Sequence, residues 1–203
     1  METYINNNIE IISSEFNTIA DKFLNCTMLI VNDKKYRILE IEFYLYCKDH
    51  LDGYSHQHSD QLMYGEFYFH RHKNGIYRGG NYKGMDFCLG NIENKKYCGI
   101  LIRSIMNSET NKITEGPCLT VNKILEEYKY SSITEFLNTE NKLQLQDYKH
   151  QKEIIYVGPR VGLDLKKLQN PKFPEFIFRN YRYLIYKDKI KKEIKNYWLN
   201  LIW

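Results

Sequence analysis

Two carboxylates stand on the same face of a predicted β-strand. In the stretch "YRILEIEFYLYC", residues 36–47, apolar and polar residues alternate, as in a strand with one buried face. Glu40 and Glu42 therefore share a face with Tyr44. One carboxylate of such a pair can take a proton from water, and its neighbour can raise the pKa of that base or orient it through water. A strand face exposed to solvent is the other interpretation, and the spacing alone leaves both open.

Histidines follow in two clusters. "YSHQHSD" carries Tyr54, His56 and His58, and "FHRH" carries His70 and His72. Imidazoles two residues apart on a strand point the same way, and four imidazoles are enough for a zinc site. No Cys or Asp pattern completes a familiar zinc motif, and an arginine separates the second pair, so we predict no metal. His70 is then the polar end of a core strand.

Two arginines also stand at informative positions. Arg103 lies within the apolar stretch "CGILIRSI", which predicts a buried strand. A buried arginine needs an anionic partner, so Arg103 belongs either to an ion pair of the core or to a functional site. Arg160, in "GPR", is predicted to contact a phosphate.

Composition narrows the class of protein. The chain has 203 residues, of which 43% are hydrophobic, enough for one substantial core. It contains no apolar run long enough to span a membrane, and its start lacks the basic and apolar regions of a secretory signal. Five cysteines at scattered spacings favour reduced thiols, and hence a cytoplasmic or nuclear location.

Charge is distributed unevenly along the chain. The net charge is +4, but residues 166–203 hold ten Lys or Arg against three Asp or Glu. A basic end suggests a surface that meets an anion such as a nucleic-acid backbone, although a solvated lysine-rich helix explains the same charges. Apolar positions at helical spacing predict that residues 187–203 form a basic amphipathic helix, packed on a body of residues 1–186.

The rest of the pattern mixes helices and strands without a βαβ order, which predicts a single α+β domain. Helical spacing predicts helices at 13–26, 115–128 and 131–137, the first with Ser13 or Ser14 as its N-cap. Residues 47–66 and 138–152 are predicted to be loops. The predicted strands lie within 27–31, 36–46, 66–72, 75–91, 97–105, 153–165 and 173–186.

Several segments resemble, in the same order, those of the alkyladenine (3-methylpurine) DNA glycosylases. "EIEFY" is similar to the family's "ETEAY" strand, "DGYSH" to its acidic loop ending in "SH", and "YKGMDFCLGN" to its "YGMYFCMN" strand. "CGILIRSI" is similar to "CVLLRAL", "EGPCLTVNKIL" to "GPGKLxxALGI", and "VGPRVGLDL" to "PRIGI". The matches run from about residue 19 to residue 186. The resemblance implies a mixed, mostly antiparallel curved sheet with peripheral helices.

The resemblance also implies roles for individual residues. Glu42 matches the family's general base, and Tyr44 matches a tyrosine that lines the base pocket. His56 matches the pocket histidine, and Arg103 the site arginine. Tyr54, in the same loop as His56, is expected to help close the pocket.

The chain departs from the family pattern near the predicted wedge. The family's intercalating tyrosine directly precedes "GM", whereas here that residue is Lys83 and Tyr82 is one position further back. Tyr82 takes the wedge position if a bulge intervenes, which the nearby glycines permit. Asp86 stands where the family has an aromatic, and is either an extra site acid or a turn-stabilising residue. Asn91 lies one position later than the family's pocket asparagine.

The implied activity is that of a monofunctional DNA glycosylase of base excision repair. It hydrolyses the bond between deoxyribose and a flipped purine, alkylated or deaminated, with a Glu-activated water and no metal or cofactor. The alternatives are the same fold acting on RNA, single-stranded DNA or free nucleotides and nucleosides, or a non-catalytic nucleic-acid-binding module. DNA is thus the predicted partner, no membrane is expected, and the oligomeric state is left open, a monomer included.

Overall fold

A large antiparallel sheet forms the body of the protein. The fold is taken from a computed structural model that describes residues 9–140, 143–163, 174–190 and 200–201. Among these residues, every strand pairing is antiparallel and the sheet curls into a half-barrel, as expected for a single α+β unit. The strands are β1 (Thr27–Val31), β2 (Lys34–Cys47), β3 (His50–Leu51), β4 (Tyr64–Phe69), β5 (Met85–Leu89), β6 (Tyr97–Asn107), β7 (Ile113–Glu115), β8 (Gln144–Asp147), β9 (Tyr156–Gly158), β10 (Arg182–Leu184) and β11 (Asn200–Leu201).

The two longest strands lie side by side at the centre of the sheet. The main strand order is β11-β9-β10-β2-β6-β5-β4, with β1, β3, β7 and β8 attached beside this path. Strand β2 pairs with β6 over most of its length, with a bulge around Glu40. One face of β2 is fully buried, which confirms the apolar side of the predicted alternation: Leu39, Ile41, Phe43 and Leu45.

Helix α1 (Ile9–Asn25) covers the buried face of β2. The apolar side chains at helical spacing form a buried stripe of Phe16, Ile19, Ala20, Phe23 and Leu24. The Phe16 ring stacks on Phe43 with the ring centroids 4.0 Å apart. The predicted N-cap at Ser13 or Ser14 is wrong, because the helix already includes Ile9. Ile12, fully buried, extends the apolar stripe beyond those serines, and its burial favours a helix longer than the local capping signal indicates.

Two further helices lie where the sequence predicts them. Helix α2 (Pro117–Tyr128) begins after Gly116, whose φ of 95° lies in the region that favours glycine, and Pro117 occupies its first turn. Lys129 ends the helix in the left-handed conformation. Helix α3 (Ile133–Leu137) is capped by the Ser132 side chain, which accepts a hydrogen bond from the backbone N–H of Glu135.

Several predicted boundaries are wrong. Within the predicted loop 138–152, strand β8 pairs with β1. Within the predicted loop 47–66 lie β3, a 3-10 turn at Ser59–Leu62 and the start of β4. The predicted strand 173–186 contains a short helix, α4 (Pro174–Ile177), before β10, because a proline at the first helical position suits a helix better than a central strand.

The basic C-terminal segment is only partly described. Residues 191–199, the centre of the helix predicted for 187–203, lie outside the described residues. Lys187–Lys189 form a turn, and Asn200–Leu201 form strand β11 paired with β9, which differs from a helix at those positions. In the described part of the chain, no helix is both long and apolar enough to cross a membrane.

Candidate active site

The two carboxylates of β2 are both buried, so the interpretation of an exposed strand face is wrong. Glu40 contacts two arginines from neighbouring strands: its Oε1 accepts hydrogen bonds from Arg103 Nε at 3.0 Å and Arg182 Nε at 2.7 Å. Ser104 Oγ donates to the other carboxylate oxygen at 2.5 Å. Burial alone would raise the pKa of Glu40, but the two guanidinium charges lower it below its usual range. Glu40 is therefore a stable anion of the core.

Glu42 lies two residues after Glu40 on strand β2 and accepts hydrogen bonds from different groups. Its Oε2 accepts from the Tyr44 hydroxyl at 2.9 Å, and its Oε1 accepts from the backbone N–H of Val161 at 2.7 Å. Arg103 Nη1 approaches Oε1 at 3.3 Å. Arg103 thus contacts both carboxylates: it forms a buried ion pair with Glu40 and also lines the cavity in front of Glu42.

A cavity of about 330 Å³ opens in front of Glu42, within the usual range of ligand pockets, about 300–1,000 Å³. Glu42 itself is 0% exposed and lies one layer behind the cavity wall. Three wall residues separate it from the cavity, and each of them contacts its carboxylate: Tyr44, Arg103 and Val161.

A buried ion pair supports the tyrosines of the wall. Arg160 donates to both carboxylate oxygens of Asp52, at 2.5 and 3.2 Å, and both side chains are fully buried. The guanidinium carbon of Arg160 lies 4.5 Å from the centroid of the Tyr44 ring and 5.7 Å from that of Tyr54. The predicted phosphate contact of Arg160 is therefore wrong, since burial and Asp52 occupy its guanidinium.

Tyr44 and Tyr54 both line the cavity, as the sequence predicts. Burial and the adjacent Glu42 carboxylate hold the pKa of Tyr44 well above its usual value of 10.0. The Tyr44 hydroxyl thus stays protonated at neutral pH and donates to Glu42 in this structure. Near the Glu42 carboxylate, the cavity wall thus consists of the Tyr44 and Tyr54 rings and the Arg103 guanidinium.

Histidines and an acid form the opposite wall. His56 and His70 both line the cavity, and their ring centroids are 4.3 Å apart. His70 Nε2 lies 2.7 Å from Asp86 Oδ1, and Gln61 Nε2 donates to Asp86 Oδ2 at 2.9 Å. His70 is therefore more than the polar end of a strand. Asp86 is a buried site acid rather than a turn residue.

The mouth of the cavity is formed by the connection between β4 and β5, residues 70–84. Tyr82 and Lys83 both line the cavity, and Tyr82 is 75% exposed. Tyr82 ends a 3-10 turn that begins at Gly80, with φ of 54°, so no strand bulge places it there. Lys83 Nζ donates to Asn122 Oδ1 at 2.7 Å.

Asn91 does not line the cavity. It lies in the turn between β5 and β6, where its backbone bridges Lys96 and its side chain accepts from the backbone N–H of Asn94. Gly90 packs against the backbone of Gln61 and Leu62, leaving no space for a Cβ. The Asn91 amide therefore stabilises this turn and lies outside the cavity lining.

Three residues of the site were not predicted from the sequence: Asp52, Gln61 and Val161. Asp52 is the first residue of the loop "DGYSH", and its place in that motif could have marked it as a site residue. Gln61 carries no comparable signal, and Val161 contributes a backbone N–H, which no side-chain pattern reveals. Among the described residues, no group of three His, Cys, Asp or Glu side chains is arranged to hold a metal ion.

Comparison with known proteins identifies a viral relative. The chain is similar to the uncharacterized protein L759 of Acanthamoeba polyphaga mimivirus, with 42% identity over 197 residues. The likeness spans 87% of this chain and 88% of the mimivirus protein. No protein-family model matches the chain.

Proposed function

The chain belongs to the same family as the mimivirus protein L759, and we propose that it is a monofunctional purine N-glycosylase that acts on modified bases in DNA. The observation that carries the proposal is the buried Glu42 carboxylate, held by Tyr44, Arg103 and Val161 directly behind an aromatic cavity. Burying a carboxylate inside a protein is costly, so its placement behind a cavity with three hydrogen-bonding partners favours a functional role.

The proposed reaction is a displacement by water. The purine lies in the cavity against the tyrosine rings, and the glycosidic bond breaks to leave an oxocarbenium-like sugar. The negative charge of Glu42 stabilises that cation, and its carboxylate takes the proton from the attacking water. For this step one oxygen of Glu42 must exchange its present hydrogen bond, from the Tyr44 hydroxyl or the Val161 N–H, for one from water.

The cavity mouth favours a polyanionic substrate. Residues 70–84 contain no Asp or Glu, and two of their basic side chains line the cavity, Arg78 and Lys83. Positive charge around an aromatic cavity suits a phosphate backbone that delivers one base to the pocket. The exposed Tyr82 ring at the same mouth is suited to fill the gap that a flipped base leaves in a duplex.

A substrate panel tests the proposal. Purified protein is incubated with duplex DNA containing hypoxanthine or 7-methylguanine, with the corresponding single strands, RNA and free nucleosides, and released bases are separated by chromatography. We expect free base from duplex DNA, with strand breaks appearing only after heating of the abasic sites. Tight binding of DNA without release of any base would contradict the activity and favour a binding module.

One observation favours a second substrate class. The cavity mouth is formed by a 3-10 turn with Lys83 beside Tyr82, rather than by a strand-borne wedge. A basic residue at this position suits a base that is already unpaired. Release from single-stranded DNA, RNA or nucleosides at a rate above that from duplex would assign this substrate class to the same Glu42 chemistry.

A further inference from the structure

The turn that carries Tyr82 has little packing of its own. It is the 3-10 turn Gly80–Tyr82, in which the Tyr82 N–H donates to the Gly79 carbonyl at 3.1 Å. Gly79 and Gly80 are both exposed, and a Cβ on either would meet no atom beyond its chain neighbours within 4 Å. The Tyr82 side chain is itself largely exposed. Contacts from outside the turn must therefore determine where the Tyr82 ring lies.

Helix α2 supplies two such contacts, one at each end of the turn. Cys118 Sγ donates to the Gly80 carbonyl oxygen at 3.0 Å, and Lys83 Nζ donates to Asn122 Oδ1 at 2.7 Å. Cys118 and Asn122 are four residues apart, so they lie on the same face of the helix. Asn122 Nδ2 faces Cys118 Sγ at 3.8 Å, which directs Oδ1 at Lys83. The two contacts together form a brace between helix α2 and the turn.

Helix α2 is fixed in its turn to the strand that carries Arg103. Thr120, which is fully buried, donates from Oγ1 to the Arg103 carbonyl oxygen at 2.8 Å, and Val121 is buried in the core. The Arg103 side chain contacts Glu42. The brace therefore relates the position of Tyr82 to that of the carboxylate behind the cavity.

The two neighbours at the cavity mouth have different roles. Lys83 lines the cavity, but its ammonium group is hydrogen-bonded to the Asn122 side chain of helix α2. Hydrogen bonds that involve a charged group are stronger than those between neutral groups, so this contact holds the turn more firmly than a neutral pair would. Tyr82 is the more exposed of the two and is the one that can enter a duplex.

We propose that Asn122 and Lys83 are positioning residues that hold Tyr82 for entry into duplex DNA. The inference rests on the proposed glycosylase function. Extrusion of a nucleotide from a duplex costs unstacking and unpairing, and a ring that fills the vacated place offsets part of that cost. The ring can do so only if the turn beneath it does not yield. A single strand leaves no vacated place in a duplex, so base release from it does not need the brace.

The test compares release of hypoxanthine from duplex and from single-stranded DNA of the same sequence, with wild type and Asn122→Leu. Leucine keeps the size of the side chain and removes the acceptor for Lys83. With protein in excess but below saturation, we expect the duplex rate to fall about tenfold, the order expected for loss of one hydrogen bond to a charged group. The single-strand rate should stay unchanged.

The matched control is Asn138→Leu, the same change at an exposed position at the end of helix α3, which should leave both rates unchanged. Circular dichroism shows whether each variant is folded. Lys83→Met should resemble Asn122→Leu once the effect of losing one positive charge is subtracted. Lys73→Met, at an exposed lysine of the same connection, measures that effect.

A double variant shows whether the brace acts through Tyr82. Tyr82→Ala should itself slow release from the duplex. Addition of Asn122→Leu to Tyr82→Ala should then cause no further loss, because residues that act through one another give non-additive effects. A role of Asn122 in general stability would instead add its loss to that of Tyr82→Ala.

Several results would overturn the brace while the glycosylase activity stands. They are an unchanged duplex rate in Asn122→Leu, equal losses on duplex and single strand, and additive losses in the double variant. Release by wild type from single strands alone would also overturn it, since no duplex opening would then need support. Release of no base from either DNA by wild type would contradict the proposed function itself.

Discussion

At the scale of single residues, the site depends on charges buried in pairs. Arg160 and Asp52 are both fully buried and form a bidentate pair, and the Arg160 guanidinium lies under the Tyr44 ring. Burial alone would lower the pKa of Arg160, but Asp52 raises it above its usual value, so the charge persists. The pair therefore sets the position of the tyrosine that holds Glu42.

Replacing one member of this pair should be strongly destabilising. Arg160→Lys removes the two-pronged contact and leaves Asp52 incompletely paired, and we expect a loss of about 3–5 kcal/mol in the free energy of unfolding. Urea denaturation followed by circular dichroism measures this loss. Arg179→Lys, at a partly exposed position, is the matched control and should change stability by less than about 0.5 kcal/mol. Equal stability of the two variants would show that the buried pair is not needed.

At the scale of elements, helix α2 is attached to the β1–β2 hairpin through Glu127. The Tyr36 hydroxyl donates to Glu127 Oε1 at 2.6 Å, Lys123 Nζ approaches it at 2.8 Å, and Lys34 forms an ion pair with the other oxygen. Burial alone would raise the pKa of Glu127, but the hydrogen bonds from Lys123, Lys34 and Tyr36 lower it from 4.5 to about 2. The attachment is thus strongest when Glu127 is ionised.

This attachment should make stability depend on pH in a defined window. Because the folded-state pKa is depressed, the contribution is complete above about pH 4.5 and is lost as the pH falls towards about 2. Glu127→Gln should cost about 2 kcal/mol at pH 7, and the difference from wild type should shrink between pH 4.5 and 2. Thermal unfolding at several pH values measures it, with the exposed Glu126→Gln as control. A difference that does not vary with pH would contradict the assignment.

The elements also show what sequence patterns can and cannot predict. The long alternation of β2, the apolar run of β6 and the helical stripe of α1 are strong periodic signals, and all three are confirmed. Strand β8, with the sequence QLQD, has no such signal because it is a largely exposed strand defined by its pairing with β1. Helix α4 was missed because the apolar run around it suits a buried strand equally well.

At the scale of the whole molecule, the site is assembled by the antiparallel sheet. Register pairs Glu42 of β2 with Leu101 of β6, which places Arg103 two residues further along the neighbouring strand. The Val161 N–H reaches Glu42 across 119 positions of sequence. Tyr44, Tyr54, His56, Tyr82 and Arg103 could be predicted as lining residues because ordered motifs carry them, and all of them line the cavity. The His70–Asp86 pair requires the β4–β5 register, which the sequence alone does not define.

The central claim, that Glu42 activates water for base release, is tested most directly by one kinetic comparison. Wild type, Glu42→Gln and the exposed control Glu109→Gln are mixed in excess with hypoxanthine-containing duplex DNA, and free base is measured over time in protein shown to be folded by circular dichroism. We expect Glu109→Gln to match wild type and Glu42→Gln to be slower by at least about 10²-fold. Base release by Glu42→Gln at the wild-type rate would contradict the account.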